Sequence, residues 1–328
     1  MHILTLGLNH RTAPVEIRER LSFPANDQPS ALTSLVHDYE LSEAAILSTC
    51  NRSELYLAAN DERGLDQARR FLAETQDIDL RLLESHFYQL SDSETAIHLF
   101  RVASGIDSLV VGESQILSQV RQSLETAQQN GSAHLLLNEL FQRSLRVGKR
   151  ARAETDISRG RLSISTAAVE LANQVFEDLA KCQALLVGAG EMGELTAQYL
   201  VDAGVQQLRV SNRTLTRAEE LARRFGGEAI PFDSLAAQLA SVDIVISSTA
   251  ATDYVVRAED LRQTMDQRRG RPLFLIDIAV PRDIDPAARD IDNIFLFDID
   301  DLEQVIAANR QEREAEIRQV QAIIDDEL

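Results

Sequence analysis

Three groups of residues have types and spacings that could do chemistry. The first is Cys50, in Leu47-Ser48-Thr49-Cys50-Asn51-Arg52. A thiol at the polar end of an apolar run is poorly placed for core packing. Arg52, two residues on, favours the thiolate, the nucleophilic form. The competing reading is a small buried residue, the commonest fate of a free cysteine, and the residues alone leave both open. The second group is Val187-Gly188-Ala189-Gly190-Glu191-Met192-Gly193, which fits G-x-G-x-x-G between an apolar strand and a helix. In that context Gly188 turns the chain, Gly190 lets backbone approach a pyrophosphate, and Gly193 allows helix and strand to pack closely. The helix start adds N–H donors and partial positive charge. The next strand ends in Ser211-Asn212-Arg213-Thr214. An NAD site usually carries a carboxylate there; Arg213, with Asn212 and Thr214, suits a 2′-phosphate, so NADP(H) is predicted over NAD(H). The third group is Ser104-Gly105-Ile106-Asp107-Ser108, then Gly112-Glu113-Ser114-Gln115 and Gln119. Gln115 and Gln119 lie four apart and share a helix face. Capping and solvation explain this cluster as readily as ligand binding. His98, on the helix leading into it, reads alone as structural. Cys182 reads as packing, and two distant cysteines with scattered histidines give no metal-ligand spacing.

These residues need elements to hold them. His2–Asn9, Ala44–Thr49 and Glu54–Ala58 read as strands, the last two joined by the polar turn Cys50–Ser53. Pro14–Leu21, Leu65–Ala73, Ser91–Val102 and Ser114–Gln128 read as helices. Together they predict an α+β module over residues 1–155. An amphipathic helix at Arg161–Ala180 opens a second module, residues 160–298. There strands at Ala184–Val187, Leu208–Ser211, Glu228–Ile230, Asp243–Ser247, Leu273–Ile278 and Ile294–Phe297 are interleaved with helices at Met192–Asp202 and Thr214–Phe225. This is the βαβ rhythm of a doubly wound parallel sheet. Asp300–Leu328 reads as one long charged helix with a partial apolar stripe, from Leu302 and Val305 to Val320 and Ile324. The whole is a multidomain α/β chain.

With 328 residues, 44% hydrophobic and 26% charged, the chain has ordinary globular composition and material for about two cores. It carries no apolar run of membrane-spanning length and no secretory pattern at its start. Two cysteines make no disulfide framework, so a reducing cytoplasm is the expected location. The net charge of −19 speaks against a nonspecific nucleic-acid binder. The charge is uneven. Fourteen acids stand against four arginines from Asp283 to Leu328, whereas Arg143 to Arg161 holds seven cations against Glu154 and Asp156. That basic stretch is either a solvated helix face or a phosphate contact.

The chain resembles the glutamyl-tRNA reductases over essentially its whole length. The resemblance is carried by Gly7-Leu8-Asn9-His10-Arg11-Thr12-Ala13-Pro14, Ser48-Thr49-Cys50-Asn51-Arg52-Ser53-Glu54-Leu55-Tyr56, the segment Arg101–Glu113, the Gly188–Gly193 loop, and Asp277-Ile278-Ala279-Val280-Pro281-Arg282-Asp283. It implies NADPH-dependent reduction of glutamyl-tRNA to glutamate-1-semialdehyde through a Cys50 thioester, the first step of five-carbon tetrapyrrole synthesis. It also implies that His98 assists proton transfer or binds the RNA end, that Arg52 takes the glutamate side-chain carboxylate, and that Glu113 takes its ammonium. Thr49, Asn51, Ser108, Ser114, Gln115 and Gln119 would orient the glutamyl group. Gly188 to Gly193 and Ser211 to Thr214 would hold NADPH, and the basic stretch would meet tRNA. The family's architecture is a V-shaped homodimer: a catalytic domain, an NADPH domain and a dimerisation domain along a spinal helix. This chain stops at Leu328 within what resembles that helix, so the dimerisation domain is expected to be absent and a homodimer is not implied for it. A glutamate-1-semialdehyde aminotransferase is a candidate partner. The competing readings are a shikimate-dehydrogenase-like NADP oxidoreductase, needing neither Cys50 nor tRNA, and a non-enzymatic nucleotide- or RNA-binding scaffold.

Overall fold

The computed structural model describes residues 1–76, 81, 84–108, 115–157, 164–307 and 314–328, without the side chains of residues 303, 306 and 307. They form two compact units, Met1–Arg161 with Ala308–Leu328, and Leu162–Ala307.

The first unit runs β1 (His2–Asn9), α1 (Val15–Arg20), α2 (Gln28–His37), β2 (Glu43–Ser48), β3 (Arg52–Ala59), α3 (Arg63–Gln76), β4 (Tyr88–Ser91), α4 (Ser93–Ala103), α5 (Gln115–Gln129) and α6 (Leu135–Glu154). Its strands make one antiparallel sheet in the order β2-β3-β1-β4. The four-residue edge strand β4 is too short to show a periodicity and is absent from the sequence reading, as is α2. All eight residues of β3 are buried, so both faces of the sheet are covered there. Arg52 and Glu54 share one of those faces and cannot reach water, which obliges them to pair. Gly7 stands opposite Glu54 across the β1–β3 ladder. A Cβ at Gly7 would lie 2.8 Å from Glu54 Cγ and 3.2 Å from the Tyr88 ring, so the missing side chain makes room for the acid. Glu43 on β2 accepts the N–H groups of His134, Leu136 and Leu137 at 2.9, 3.0 and 2.9 Å, which ties β2 to the first turn of α6.

The second unit contains α7 (Ile164–Val175), β5 (Gln183–Val187), α8 (Glu191–Asp202), β6 (Gln207–Asn212), α9 (Leu215–Phe225), β7 (Glu228–Pro231), α10 (Leu235–Leu239), β8 (Ile244–Ser247), α11 (Ala258–Arg268), β9 (Leu273–Asp277), β10 (Ile294–Asp298) and α12 (Ile299–Ala307). The six strands are parallel in the order β10-β9-β8-β5-β6-β7. This is the doubly wound Rossmann arrangement, and the strand order reverses beside β5, where such sheets bind ligands. The helix anticipated at Arg161–Ala180 is described as the shorter α7. Asp178 then accepts the Ala180 N–H at 3.1 Å and starts a separate 3₁₀ turn, Leu179–Lys181.

The acidic tail is helical on both sides of residues 308–313. The segment expected to be one helix over 300–328 is described as α12, which packs on α7 in the second unit, and α13 (Glu314–Glu327), which belongs to the first. Residues 308–313 lie outside the described residues. The apolar stripe serves two cores: Leu302 is buried in the second unit, and Val320, Ile323 and Ile324 join the hydrophobic core of the first. The end of α13 meets part of the basic stretch. Arg146 pairs with Glu327 at 2.9 Å, Arg150 pairs with Asp326 at 2.9 Å and with Glu154, and Arg143 pairs with Glu139. Acids far along the chain or one helical turn away thus pair with three of the seven cations that the sequence offered to phosphates. Arg159 and Arg161 lie outside the described residues.

Candidate active site and nucleotide site

Cys50 lies half-buried in the connection between β2 and β3. Main-chain and side-chain hydrogen bonds hold this turn. Thr49 N–H donates to the Arg52 carbonyl at 2.8 Å, Asn51 N–H to Thr49 Oγ1 at 3.2 Å, and His10 N–H to the Asn51 carbonyl at 2.9 Å. Arg18, buried beneath, donates from Nη1 to the Cys50 carbonyl at 2.8 Å and to Asn51 Oδ1 at 3.2 Å. Thr49 and Asn51 thus shape the turn that presents the thiol.

Arg52 is buried and paired within the protein. Its side chain is 1% exposed; Nη1 donates to Glu54 at 2.7 Å and Nη2 to the Asp107 carbonyl at 2.8 Å. Nη1 and Nη2 each have an acceptor within the protein, which fixes the orientation of the guanidinium. Only Nε is buried without a partner among the described residues. The reason is local: β3 is covered on both faces, and a charge there must first satisfy its own surroundings.

Glu54 is the hub of this region. Besides Arg52 it accepts the hydroxyls of Tyr56 at 2.6 Å and Tyr88 at 2.5 Å, and it meets His98 Nε2 at 2.9 Å. Burial opposes its charge, and the Arg52 guanidinium and the His98 contact more than offset that, holding the carboxyl well below the usual range. The phenols of Tyr56 and Tyr88 are pushed up by burial and by the Glu54 charge, so they remain donors. His98 is therefore oriented by Glu54 through Nε2, and its ring packs edge-on against Tyr88. Asp107 carries the network outward to Arg11 at 2.9 Å.

His10 lies in the Gly7–Pro14 motif, and its residue type and spacing alone point to no role. Burial, reinforced by Arg52, Arg11 and Arg18, pushes its pKa down to about 3, so the imidazole is neutral. Among the described residues its Nδ1 is buried without a partner, as is Ser108 Oγ. The sequence signal for Glu54 was available: an acid two residues after Arg52 in an apolar strand lies on the same face. Glu113 and Ser114 fall outside the described residues. Gln115 opens α5, and Gln119, one turn on, lines a cavity with Ser48.

In the second unit Gly188 has φ +94°, and Gly190 is the bare N-cap of α8. A Cβ on Gly188 would strike the Ser248 carbonyl, and one on Gly190 would strike Ser248 Oγ. The residue after β8 therefore demands these glycines, independently of any ligand. Thr249 is held by Asp283, which accepts its N–H at 2.8 Å and its hydroxyl at 2.5 Å. Asp277, buried at the end of β9, accepts Ala279 N–H at 3.1 Å and Ile284 N–H at 2.8 Å, fixing the Asp277–Asp283 turn. Burial, with the neighbouring Asp283 charge, pushes its carboxyl well up. At the end of β6, Ser211 is buried with Oγ unpartnered, while Arg213 and Thr214 are exposed and Asn212 Nδ2 donates to the Thr214 carbonyl at 3.3 Å. A bare helix start after β5, with a hydroxyl unpartnered among the described residues and an exposed guanidinium at the end of the neighbouring β6, fits a nucleotide's phosphates and ribose.

Comparison with known proteins matches residues 6–155 to the family model "Glutamyl-tRNAGlu reductase, N-terminal domain" and residues 170–305 to "Shikimate / quinate 5-dehydrogenase". A glutamyl-tRNA reductase of Desulforudis audaxviator is 47% identical over 328 residues, covering 100% of this chain and 74% of that protein. The chain belongs to the glutamyl-tRNA reductase family. The family member from Bacillus subtilis is 45% identical, covering 100% of this chain and 72% of its own. A solved glutamyl-tRNA reductase from Methanopyrus kandleri is 38% identical with TM-score 0.54, covering 99% of this chain and 78% of that one. The family is one of oxidoreductases. The shikimate-dehydrogenase match spans the nucleotide-binding unit alone, which accounts for the competing dehydrogenase reading from sequence. Among the described residues no helix is long and apolar enough to cross a membrane, and no cluster of His, Cys, Asp and Glu could hold a metal ion.

Proposed function

We propose that this chain reduces glutamyl-tRNA to glutamate-1-semialdehyde with NADPH, releasing tRNA, as the first step of tetrapyrrole synthesis. The observation that carries the reading is the half-buried Cys50 on a turn whose backbone Arg18 clamps and to which neutral His10 is tied. Cys50 Sγ attacks the ester carbonyl carbon; the carbon–oxygen bond to the ribose breaks, and the ribose oxygen takes a proton. A thioester is the better electrophile, so one hard step becomes two easier ones. Reduction of that carbon to the aldehyde breaks the carbon–sulfur bond, and the thiolate is regained. Bound NADPH supplies the two electrons as hydride. Arg213 and Thr214 would hold its 2′-phosphate, Ser211 the ribose, and the N–H groups of Glu191, Met192 and Gly193 the pyrophosphate. In the first unit Arg52 Nε, Ser108 Oγ and His10 Nδ1 are buried groups without partners among the described residues, which a glutamyl moiety could satisfy. Glu113, Ser114, Gln115 and Gln119 complete the proposed substrate shell, with His98 oriented through Glu54.

Mass spectrometry of the protein mixed with glutamyl-tRNA and no reductant is expected to find a glutamyl adduct on Cys50 and none on Cys182. No adduct, or continued semialdehyde formation by Cys50→Ser, overturns the thioester. Arg213→Glu is expected to lower the preference for NADPH over NADH by about tenfold or more, the loss of one charge-assisted phosphate contact. An unchanged preference overturns the cofactor assignment.

A further inference from the structure

A cavity of about 360 Å³ opens between α2 and α5 alongside β2, the edge strand that ends at Ser48. Small-molecule sites run from about 300 to 1,000 Å³, so it suits a compact ligand. Its floor is apolar, from Phe23, Ile46 and Leu47. Its walls carry five carboxamides: Gln28 of α2, Gln119, Gln122 and Gln129 of α5, and Asn130 just beyond. Residues 119, 122, 126 and 129 follow the i, i+3, i+7, i+10 spacing of one helix face, so the polar stripe is continuous. Among the described residues no charged side chain and no histidine lines the cavity. A phosphate, carboxylate or ammonium would find no counter-charge there. A carboxamide offers a donor beside an acceptor, the pattern that takes adenine through N6 and N7. Gln28 and Asn130 are steadied by bonds to the Phe23 and Thr126 carbonyls at 3.1 and 2.8 Å, whereas Gln122 and Gln129 are exposed on the stripe.

Position names the source of the base. Ser48 lines the cavity, and two residues of chain, at most about 7 Å, separate it from Cys50. An aminoacyl ester on tRNA is carried by the ribose of the 3′-terminal adenosine. With the ester carbonyl at Cys50, that base lies one ribose away. We infer that this cavity receives the 3′-terminal adenosine of the RNA that carries the glutamyl group. The inference rests on the substrate reading above and adds the part of the RNA that is recognised and the residues that do it.

The test uses uncharged acceptor-stem hairpins, which cannot acylate Cys50, so it reads the pocket separately from the thioester experiment. One hairpin ends in CCA; the other ends in CC-purine riboside, which lacks the N6 amine. The protein is expected to bind the first about tenfold or more tightly. Gln122→Ala with Gln129→Ala, both exposed helix positions that tolerate alanine, is expected to erase the difference, with the circular dichroism of the fold retained. Equal affinity for the two hairpins, or a preference that survives the double substitution, overturns the inference. So does AMP competing as well as the CCA hairpin, which would reassign the cavity to a free mononucleotide.

Discussion

Glu54→Gln tests the buried network most directly. The substitution keeps the size of the side chain and removes its charge. Glu54 and Arg52 have side chains 0% and 1% exposed, 2.7 Å apart. Breaking such a pair by neutralising one member leaves the other charge buried, a loss of about 3–5 kcal/mol. Asp107, 3.5 Å from the same guanidinium, is a partial replacement that keeps the loss within that range. For a folding unit of this size each kcal/mol moves the thermal midpoint about 2–4 °C, so a fall of about 6–20 °C is expected. The chain has two units and no tryptophan, so calorimetry should be paired with hydrogen exchange on peptides from β1 and β3, which report the first unit. The sign with pH is fixed. The folded carboxyl is depressed, so its contribution is fully present above the unfolded value of about 4.3 and is lost as pH falls through the folded one. The deficit of the variant should therefore be constant at neutral pH and shrink in acid below about pH 4. Arg63→Ala, which removes the exposed Arg63–Asp61 pair, serves as the control and should leave the midpoint unchanged. A Glu54→Gln protein whose β1 and β3 amides exchange as slowly as wild type would refute the reasoning.

Two further outcomes are expected. The folded state depresses the His10 pKa from about 6.5 to about 3, so the unfolded chain takes that proton first. Denaturant titrations should show stability falling between about pH 6.5 and 4.5, above the carboxylate range, and His10→Gln should flatten that slope; an identical slope in the variant would count against a neutral His10. Burial pushes the Cys182 thiol up to about 11, so iodoacetamide at mildly alkaline pH, followed by peptide mapping, should label Cys50 and spare Cys182. Equal labelling of both would remove the distinction drawn between them.

Much of the second unit is written locally. Its strands, the helices α7, α8 and α9 and the glycine loop at their junction show in the local pattern, so they were readable before any contact was known, whereas α10 and α11 were not. The turn holding Cys50 was readable for the same reason, as a polar break between two apolar strands. The short strand β4 and the helix α2 carried too little pattern to be seen. The glycines were readable as a motif, but their collision partner, Ser248, was not.

Which charges are free to act was decided only by tertiary structure. Arg52 looks in sequence like a fork offered to a substrate; the folded chain closes both faces of β3 and delivers Glu54, Asp107, Tyr88 and His98 to its neighbourhood. In the basic run of α6, Arg146 and Arg150 meet Glu327 and Asp326 of α13, acids that follow them by 181 and 176 residues. Periodicity is a property of neighbouring residues and survives in the bare sequence. Whether a polar group meets water, a ligand or an opposite charge depends on what remote segments pack over it, and in a low-dielectric interior that meeting decides its ionisation and its role.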